Sequence, residues 1–482
     1  MKASLIARVI HIVANGILII LLANYLLEPG GYGRLFLAIA IINLAQLFAD
    51  LGIARSAARY VTEYKESDPS QITNILKMSL KYRLVLIGIV CIAIIAGRGM
   101  IAELLNDQKL ELLLLIGTGF ITFKSLQQFS SAIFQGFNAV EYSAIIKTIS
   151  SVSKVLFVVV FVTFGWKVVG ALLGYVLSAG VTAAVGLTIL YVRFYRNFDM
   201  DAACENGLGK RIVEYSIPLT ATRSANVIDG RVDIILVGYF LNPVAVGFYT
   251  LGKQITEFIR APAGSIGFAV SPTYGEQKAN NSLDQAARVY ELTLQYVLLL
   301  YIPASVGLMA VAKPMILLIF GRAYLGAVPV IQILSVFLLF QAVTGVTTQG
   351  IDYLGRARYR AVAKGTTSIA NFGLNIILIP TIGVVGAAGA TVITYGIYTI
   401  LNVYIMYIEL PLRIGYLTKM VGGTTIISAI MGGAVVLLLP YVSGYLSLGA
   451  IILFGVLIWA GLASVSGLLD IQEAITYLSR SS

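Results

Sequence analysis

Apolar segments of about twenty residues recur along the whole chain, and they restrict what it can fold into more than any other feature. Runs such as 84–96, 155–164, 297–312 and 426–440 are parted by short polar turns. A helix needs about 20 mostly apolar residues to cross the hydrocarbon, and a backbone in lipid must satisfy its own hydrogen bonds. Roughly 14 such crossings can be placed in the sequence. Only 12% of the residues are charged and 58% are hydrophobic, whereas soluble domains carry about 25% charged. The expected fold class is an all-α polytopic membrane protein with about 14 transmembrane helices.

The net charge of +11 would point to nucleic acid in a soluble chain. Here orientation explains it, and no nucleic-acid partner is expected. With the N-terminus in the cytoplasm, roughly 22 of the 34 Lys and Arg fall on the inner side and about 6 outside, as the positive-inside rule requires. Arg55, Arg59, Lys65, Lys77, Lys81 and Arg83 flank one inner loop, and Arg356, Arg358, Arg360 and Lys364 flank another. Both termini are thus expected in the cytoplasm of a multi-pass cell-membrane protein. Cys91 and Cys204 give no disulfide framework, and the first apolar segment reads as a retained helix.

The sequence repeats itself. "LLEPGGYGRLFL" at 26–37 returns as "FLNPVAVGFYTL" at 240–251, and "FQGFN" at 134–138 as "TQGID" at 348–352, both 214 positions later. "GWKVVGALLGYVLS" at 165–178 returns as "GVVGAAGATVIT" at 383–394. Each unit holds six expected spans, near 4–27, 35–57, 82–98, 110–133, 145–164 and 169–192, then 215–239, 247–272, 290–312, 328–350, 363–380 and 385–408. An even number makes both units enter from one side, so two lobes around a central cleft are expected. The organisation reads as a six-helix lobe at 1–198, a cytoplasmic linker at 199–214, a second lobe at 215–410, and two further helices with a tail at 411–482. Pro29 and Pro243 are expected to end a helix and turn the chain back, with Gly33 and Gly247 permitting the close turn.

Charged side chains within spans are costly and usually face a cavity. Lys253, Glu257 and Arg260 are spaced four and three apart, which puts them on one helix face. The repeat maps that face onto Ile39, Asn43 and Gln46, and Asp50 continues it. Asn226, Asp229 and Asp233 share an arc with Arg223 one turn earlier, and Asp229 corresponds to Asn15, which shares a face with Arg8 and His11. Lys124, Gln128, Ser131 and Gln135 align in the fourth span; Lys147, Ser151 and Lys154 align in the fifth. The plainer alternatives are ion pairs (Lys253 with Glu257, Arg231 with Asp233), snorkelling of Arg8, Lys147 and Asp50, and a packed, hydrogen-bonded His11. No HExxH or Walker phosphate loop is present, and with one histidine and no large polar loop, transport is expected rather than catalysis.

Four stretches carry a family resemblance: "LLEPGGYGRLFL", "DLGIARSAARYVTEY" (50–64), "LLIFGRAYLGAVPVIQIL" (317–334) and "NFGLNIILIPTIGVVGAAGATVIT" (371–394). With them the chain resembles the superfamily that groups MATE-type multidrug exporters with polysaccharide and lipid-linked oligosaccharide flippases. More narrowly, it resembles the Wzx-type polysaccharide biosynthesis flippases. The resemblance implies two six-helix lobes that alternate access to a central cavity, and a substrate of polyprenyl phosphate or pyrophosphate carrying sugars. Phosphate would suit Lys253, Arg260, Arg223, Arg231, Lys124 and Lys154 through charge-assisted hydrogen bonds. Asp229, Asp233, Glu257 and Asp50 are candidates for ion coupling or ion pairing, and Asn15, Asn43, Gln46 and Asn226 for polar cavity lining. No cofactor is expected; a sodium ion or proton is the candidate coupling ion. Membrane lipids and glycan assembly enzymes are the expected partners of a monomer. The alternative is a cation-coupled exporter of small organic compounds, although the first helix lacks the carboxylate that such exporters often keep there.

Overall fold

The computed structural model describes residues 2–198 and 203–468, without the side chains of 2–5, 221–226, 229, 265, 266, 268 and 269. Among the described residues the chain is helical, with no strand. The helices are α1 (Lys2–Ile20), α2 (Pro29–Asp50), α3 (Ile53–Ser67), α4 (Ile72–Leu104), α5 (Lys109–Gly136), α6 (Val140–Phe161), α7 (Lys167–Ile189) and α8 (Leu208–Phe240). There follow α9 (Pro243–Ala279), α10 (Leu283–Ile319), α11 (Val328–Tyr353), α12 (Ala357–Ile382), α13 (Val384–Glu409), α14 (Ile414–Leu438) and α15 (Tyr445–Val465).

Eleven stretches among the described residues are long and apolar enough to cross a membrane. The expectation of about fourteen is not reached by that measure. One stretch, Val140–Asn197, contains both α6 and α7. Helices α8 and α9 are not among the eleven, and both carry charge within their length, Arg231 and Asp233 on α8 and Lys253, Glu257 and Arg260 on α9. The polarity pattern is that of a protein in lipid. Leu457 is 62% exposed on α15, while Ser79, Ser125 and Asn402 are buried.

The chain forms two compact units, Met1–Gly247 and Phe248–Ser482. In the first, α1 packs on α6, α7 on both α5 and α6, and α2 on α4, α5 and α8. In the second, α11 lies between α10 and α13, α12 packs on α13, and α14 packs on α10 and α15. Glu291 of α10 is buried and holds the chain just before α14. It accepts from the Arg413 backbone N–H at 2.6 Å and from its guanidinium at 2.8 and 2.5 Å.

The repeated corners differ from expectation in detail. Pro29 and Pro243 do not end helices; each is the first residue of one, where a missing N–H costs nothing. At the second corner Asn242 Oδ1 accepts the Ala245 N–H at 3.0 Å. Gly33 and Gly247 lie inside the helices and let two backbones touch. A Cβ on Gly33 would lie 1.7 Å from the Pro243 carbonyl oxygen, and one on Gly247 would lie 2.4 Å from the Pro29 carbonyl oxygen. The obstacles are backbone and cannot swing aside. Gly33→Ala is therefore expected to cost about 1–3 kcal/mol, read as a lowered unfolding temperature in detergent. Gly30→Ala, whose Cβ would meet only Val244 Cγ2 at 3.5 Å, should be near neutral. In the third repeated stretch Gly383, at φ 68° and ψ −149°, stands where the first unit has Lys167, at φ 45° and ψ −126°. Gly165 precedes Lys167 at φ 89°; a positive φ favours glycine.

The span expected at 35–57 is shorter. Leu51 and Gly52 leave the helical region at φ 38° and 71°, so α2 ends at Asp50 and a separate amphipathic helix, α3, follows. Its buried face includes Ala57, Val61 and Tyr64, with Arg59 and Glu63 outward. Tyr64 also fastens the segment ahead of α8. Its hydroxyl donates to Glu205 and accepts from Arg211 at 3.0 Å, and Arg211 pairs with Glu205 at 2.6 Å. The Tyr64 hydrogen bond, aided by the Arg211 charge against partial desolvation, holds the Glu205 carboxyl below its usual value of 4.5. A lowered folded pKa means the contact contributes above about pH 4.5 and is lost as pH falls through the folded value. Amide exchange at 203–208, corrected for intrinsic rate, should stay level from pH 8 to 5 and rise below about 4.5. Glu205→Gln should remove that step.

Candidate functional site

Four helices of the first unit bring their polar side chains together. On α1, His11 and Asn15 are one turn apart, and the Asn15 amide nitrogen reaches both the His11 carbonyl oxygen, at 2.7 Å, and Nε2, at 3.1 Å. His11 Nδ1 lies 2.8 Å from Ser151 Oγ on α6, and the Ser151 hydroxyl donates to the Lys147 carbonyl at 2.8 Å. These contacts select a tautomer. With its only proton given to Lys147, Ser151 must accept from His11 Nδ1–H, leaving Nε2 to accept from the Asn15 amide. His11 is therefore a neutral link, since a second proton on Nε2 would face the amide hydrogens.

The chain of bonds ends on a cation. Lys154 Nζ on α6 donates to Asn15 Oδ1 at 2.6 Å and lies 5.4 Å from the centre of the Tyr175 ring on α7. Lys124 Nζ on α5 donates to Gln127 Oε1 at 2.9 Å. Lys124 interacts electrostatically with both Lys147 and Lys154, so the three ammonium groups share one region. Arg231 of α8 is within electrostatic reach of Tyr175 from the same region. Among the described residues neither Lys124 nor Lys154 has a carboxylate partner, and each makes one hydrogen bond through its ammonium group. Two N–H groups remain on each. A half-buried group of cations with spare donors can take an anion whose oxygens accept several bonds at once.

A second charged feature of this unit is closed. Asp50, at the end of α2, pairs with Arg83 of α4, and both are buried, Arg83 completely. Arg83 was expected beside an inner loop; the structure folds it into the bundle. Gln46, one turn before Asp50, is buried, and Asn43 is half-buried. Arg8 and Lys147 are exposed.

Lys253, Glu257 and Arg260 belong to the second unit, on α9. Lys253 is 8% exposed, 5.6 Å from the centre of the Tyr249 ring; Arg260 is half-buried and Glu257 exposed. Asp233 of α8 is buried. The side chains of Arg223, Asn226 and Asp229, also singled out from the sequence, lie outside the described residues.

Sequence reasoning passed over two features. Tyr175 reads as one more aromatic in an apolar span. Asn371 and Asn375 of α12 form a buried ladder, Asn375 Nδ2 donating to Asn371 Oδ1 at 2.9 Å and Asn371 Nδ2 to Thr394 Oγ1 of α13 at 3.1 Å. Two asparagines four apart inside an apolar span were the available signal.

With helices and no strand among the described residues, eleven candidate spans and a cationic interior site, the chain is a polytopic membrane protein. The chain belongs to the polysaccharide biosynthesis protein family, whose model matches residues 3–277, and the MatE family model matches residues 218–380. Among relatives, it is 26% identical over 42% of both chains to the "Probable low-salt glycan biosynthesis flippase Agl15" of Haloferax volcanii. It is 24% identical over 84% of its length, and 80% of the relative's, to the "Lipopolysaccharide biosynthesis protein WzxC" of Escherichia coli. The match thus spans less than half of the first relative and most of the second. The fold is that of a solved structure of the lipid II flippase MurJ in an inward closed conformation, with TM-score 0.77 and 16% identity, covering 96% of this chain and 97% of that one.

Proposed function

We propose that this chain is a flippase that carries a polyprenyl-phosphate- or pyrophosphate-linked oligosaccharide across the cell membrane for glycan synthesis. One observation carries the reading: Lys124 and Lys154 gather mid-helix in the first unit without a carboxylate partner among the described residues. Burying cations in a bundle that lipid surrounds is costly, and an anionic head group offsets that cost. Family membership and relatives named for flipping and lipopolysaccharide synthesis support the same reading.

Lys154 and Lys124 are assigned the first phosphate contacts, with Arg231, Lys253, Arg260 and Arg223 as further ones. Asp229, Asp233 and Glu257 are assigned to ion coupling or ion pairing, with a proton or sodium ion as the driving ion. The lobes at 1–198 and 215–410 alternate access, both termini lie in the cytoplasm, and the protein acts as a monomer beside the enzymes that assemble the glycan. The test is translocation of defined lipid-linked sugars in vesicles holding the purified protein, with and without ion gradients. The alternative is a cation-coupled exporter of small organic compounds, which the MatE match over residues 218–380 brings in; a net acidic cavity would favour it where the compound is a cation. Drug-driven transport without any movement of lipid-linked sugar would replace the flippase assignment.

A further inference from the structure

The stretch "RARYR" at 356–360 supplies three arginines in five residues where α11 turns into α12. Two are neutralised. Arg356 donates to Glu409 at 2.7 Å and Arg360 to Asp352 at 2.8 Å. Arg358 is exposed and, among the described residues, has no carboxylate partner. It borders a groove of about 720 Å³ between the start of α12 and the end of α13. The other walls are mostly apolar or aromatic, including Tyr359, Val362, Leu401 and Tyr404. Val362 is 60% exposed and Tyr404 58%, on helices apolar enough to cross the bilayer.

A guanidinium with no carboxylate partner among the described residues, at a helix end above an apolar channel, matches an amphiphile with an anionic head. Tyrosine and arginine at a span terminus also place this end at the membrane boundary, where head groups lie. We propose that the groove binds the phosphate head of a resident anionic membrane phospholipid, with Arg358 on the phosphate and an acyl chain along Val362 and Leu401. The volume suits a head group and the first part of a chain. Every residue of the groove belongs to the second unit, and none is among the cations grouped around Lys154. The proposal does not depend on what the protein transports.

The test uses the full-length protein in detergent, with bound lipid counted by native mass spectrometry. Phosphatidylglycerol is titrated against phosphatidylcholine and against inorganic phosphate. Wild type should prefer phosphatidylglycerol, and R358Q should weaken its binding about tenfold, the loss of one charge-assisted phosphate contact. Glu409→Gln frees Arg356 beside the groove and should strengthen binding severalfold, a change of opposite sign that misfolding would not produce. Val362→Trp, which fills the apolar wall, should lower binding of the lipid. Equal retention by R358Q and wild type would overturn the proposal. So would equal binding of phosphatidylcholine, or displacement of the lipid by inorganic phosphate at equal concentration.

Discussion

The Lys124→Gln, Lys154→Gln double variant is expected to translocate a polyprenyl-phosphate-linked oligosaccharide at least a hundredfold more slowly than wild type in reconstituted vesicles. Among the described residues, each lysine keeps two ammonium hydrogens without a partner. A hydrogen bond to a charged group contributes about 1.5–3 kcal/mol, and roughly 1.4 kcal/mol is a factor of ten. Losing one such contact from each side chain therefore removes two to four powers of ten from substrate binding. Stability should move the other way. Removing two mutually repelling cations from a bundle interior relieves desolvation and repulsion, so the variant should insert normally and unfold at the same temperature or higher. A structural role for the lysines predicts the reverse. Lys154→Arg keeps the charge and should retain a measurable rate, whereas Asn15→Leu should lower the rate by freeing Lys154 from its bond. Wild-type translocation by the double glutamine variant would remove these residues from the site.

Arg83→Met is expected to lower stability by about 3–5 kcal/mol, because it removes the guanidinium that pairs with the buried Asp50 carboxylate. The pair itself need not be strongly stabilising, since desolvating two ions cancels much of their attraction. Asp50→Asn combined with Arg83→Met should therefore recover most of the loss, leaving a coupling energy of several kcal/mol in a double-mutant cycle. Equilibrium unfolding in mixed detergent micelles provides the measurement. A loss below about 1 kcal/mol for Arg83→Met would mean that water reaches the pair and that Asp50 is open to other ions.

Much of the architecture was legible in the residues because the signals are local. A run of twenty apolar residues must be helical in lipid wherever it later packs, and both repeated corners start a helix at proline, whose fixed φ and missing N–H suit the first helical position. The grouping of Lys147, Ser151 and Lys154 on one face follows from 3.6 residues per turn, and α6 presents all three to the region around His11 and Lys124. Periodicity places a residue on a face but does not say which helix meets it. Only the tertiary structure could show that His11 bridges Asn15 and Ser151 as a neutral link, because its partners are 4 and 140 residues away. The same holds for Arg83, which reads as a basic residue beside a loop until Asp50, 33 residues earlier, supplies the counter-charge that permits complete burial. At 356–360 the sequence shows three equal arginines, and the carboxylates that neutralise two of them come from elsewhere along the chain. The sequence alone determined the solvent, the helices and the repeat, which depend on hydropathy and backbone geometry. The fold decided which charges are spent and which stay available, because a side chain's charge state and spare hydrogen bonds depend on neighbours that only long-range packing supplies.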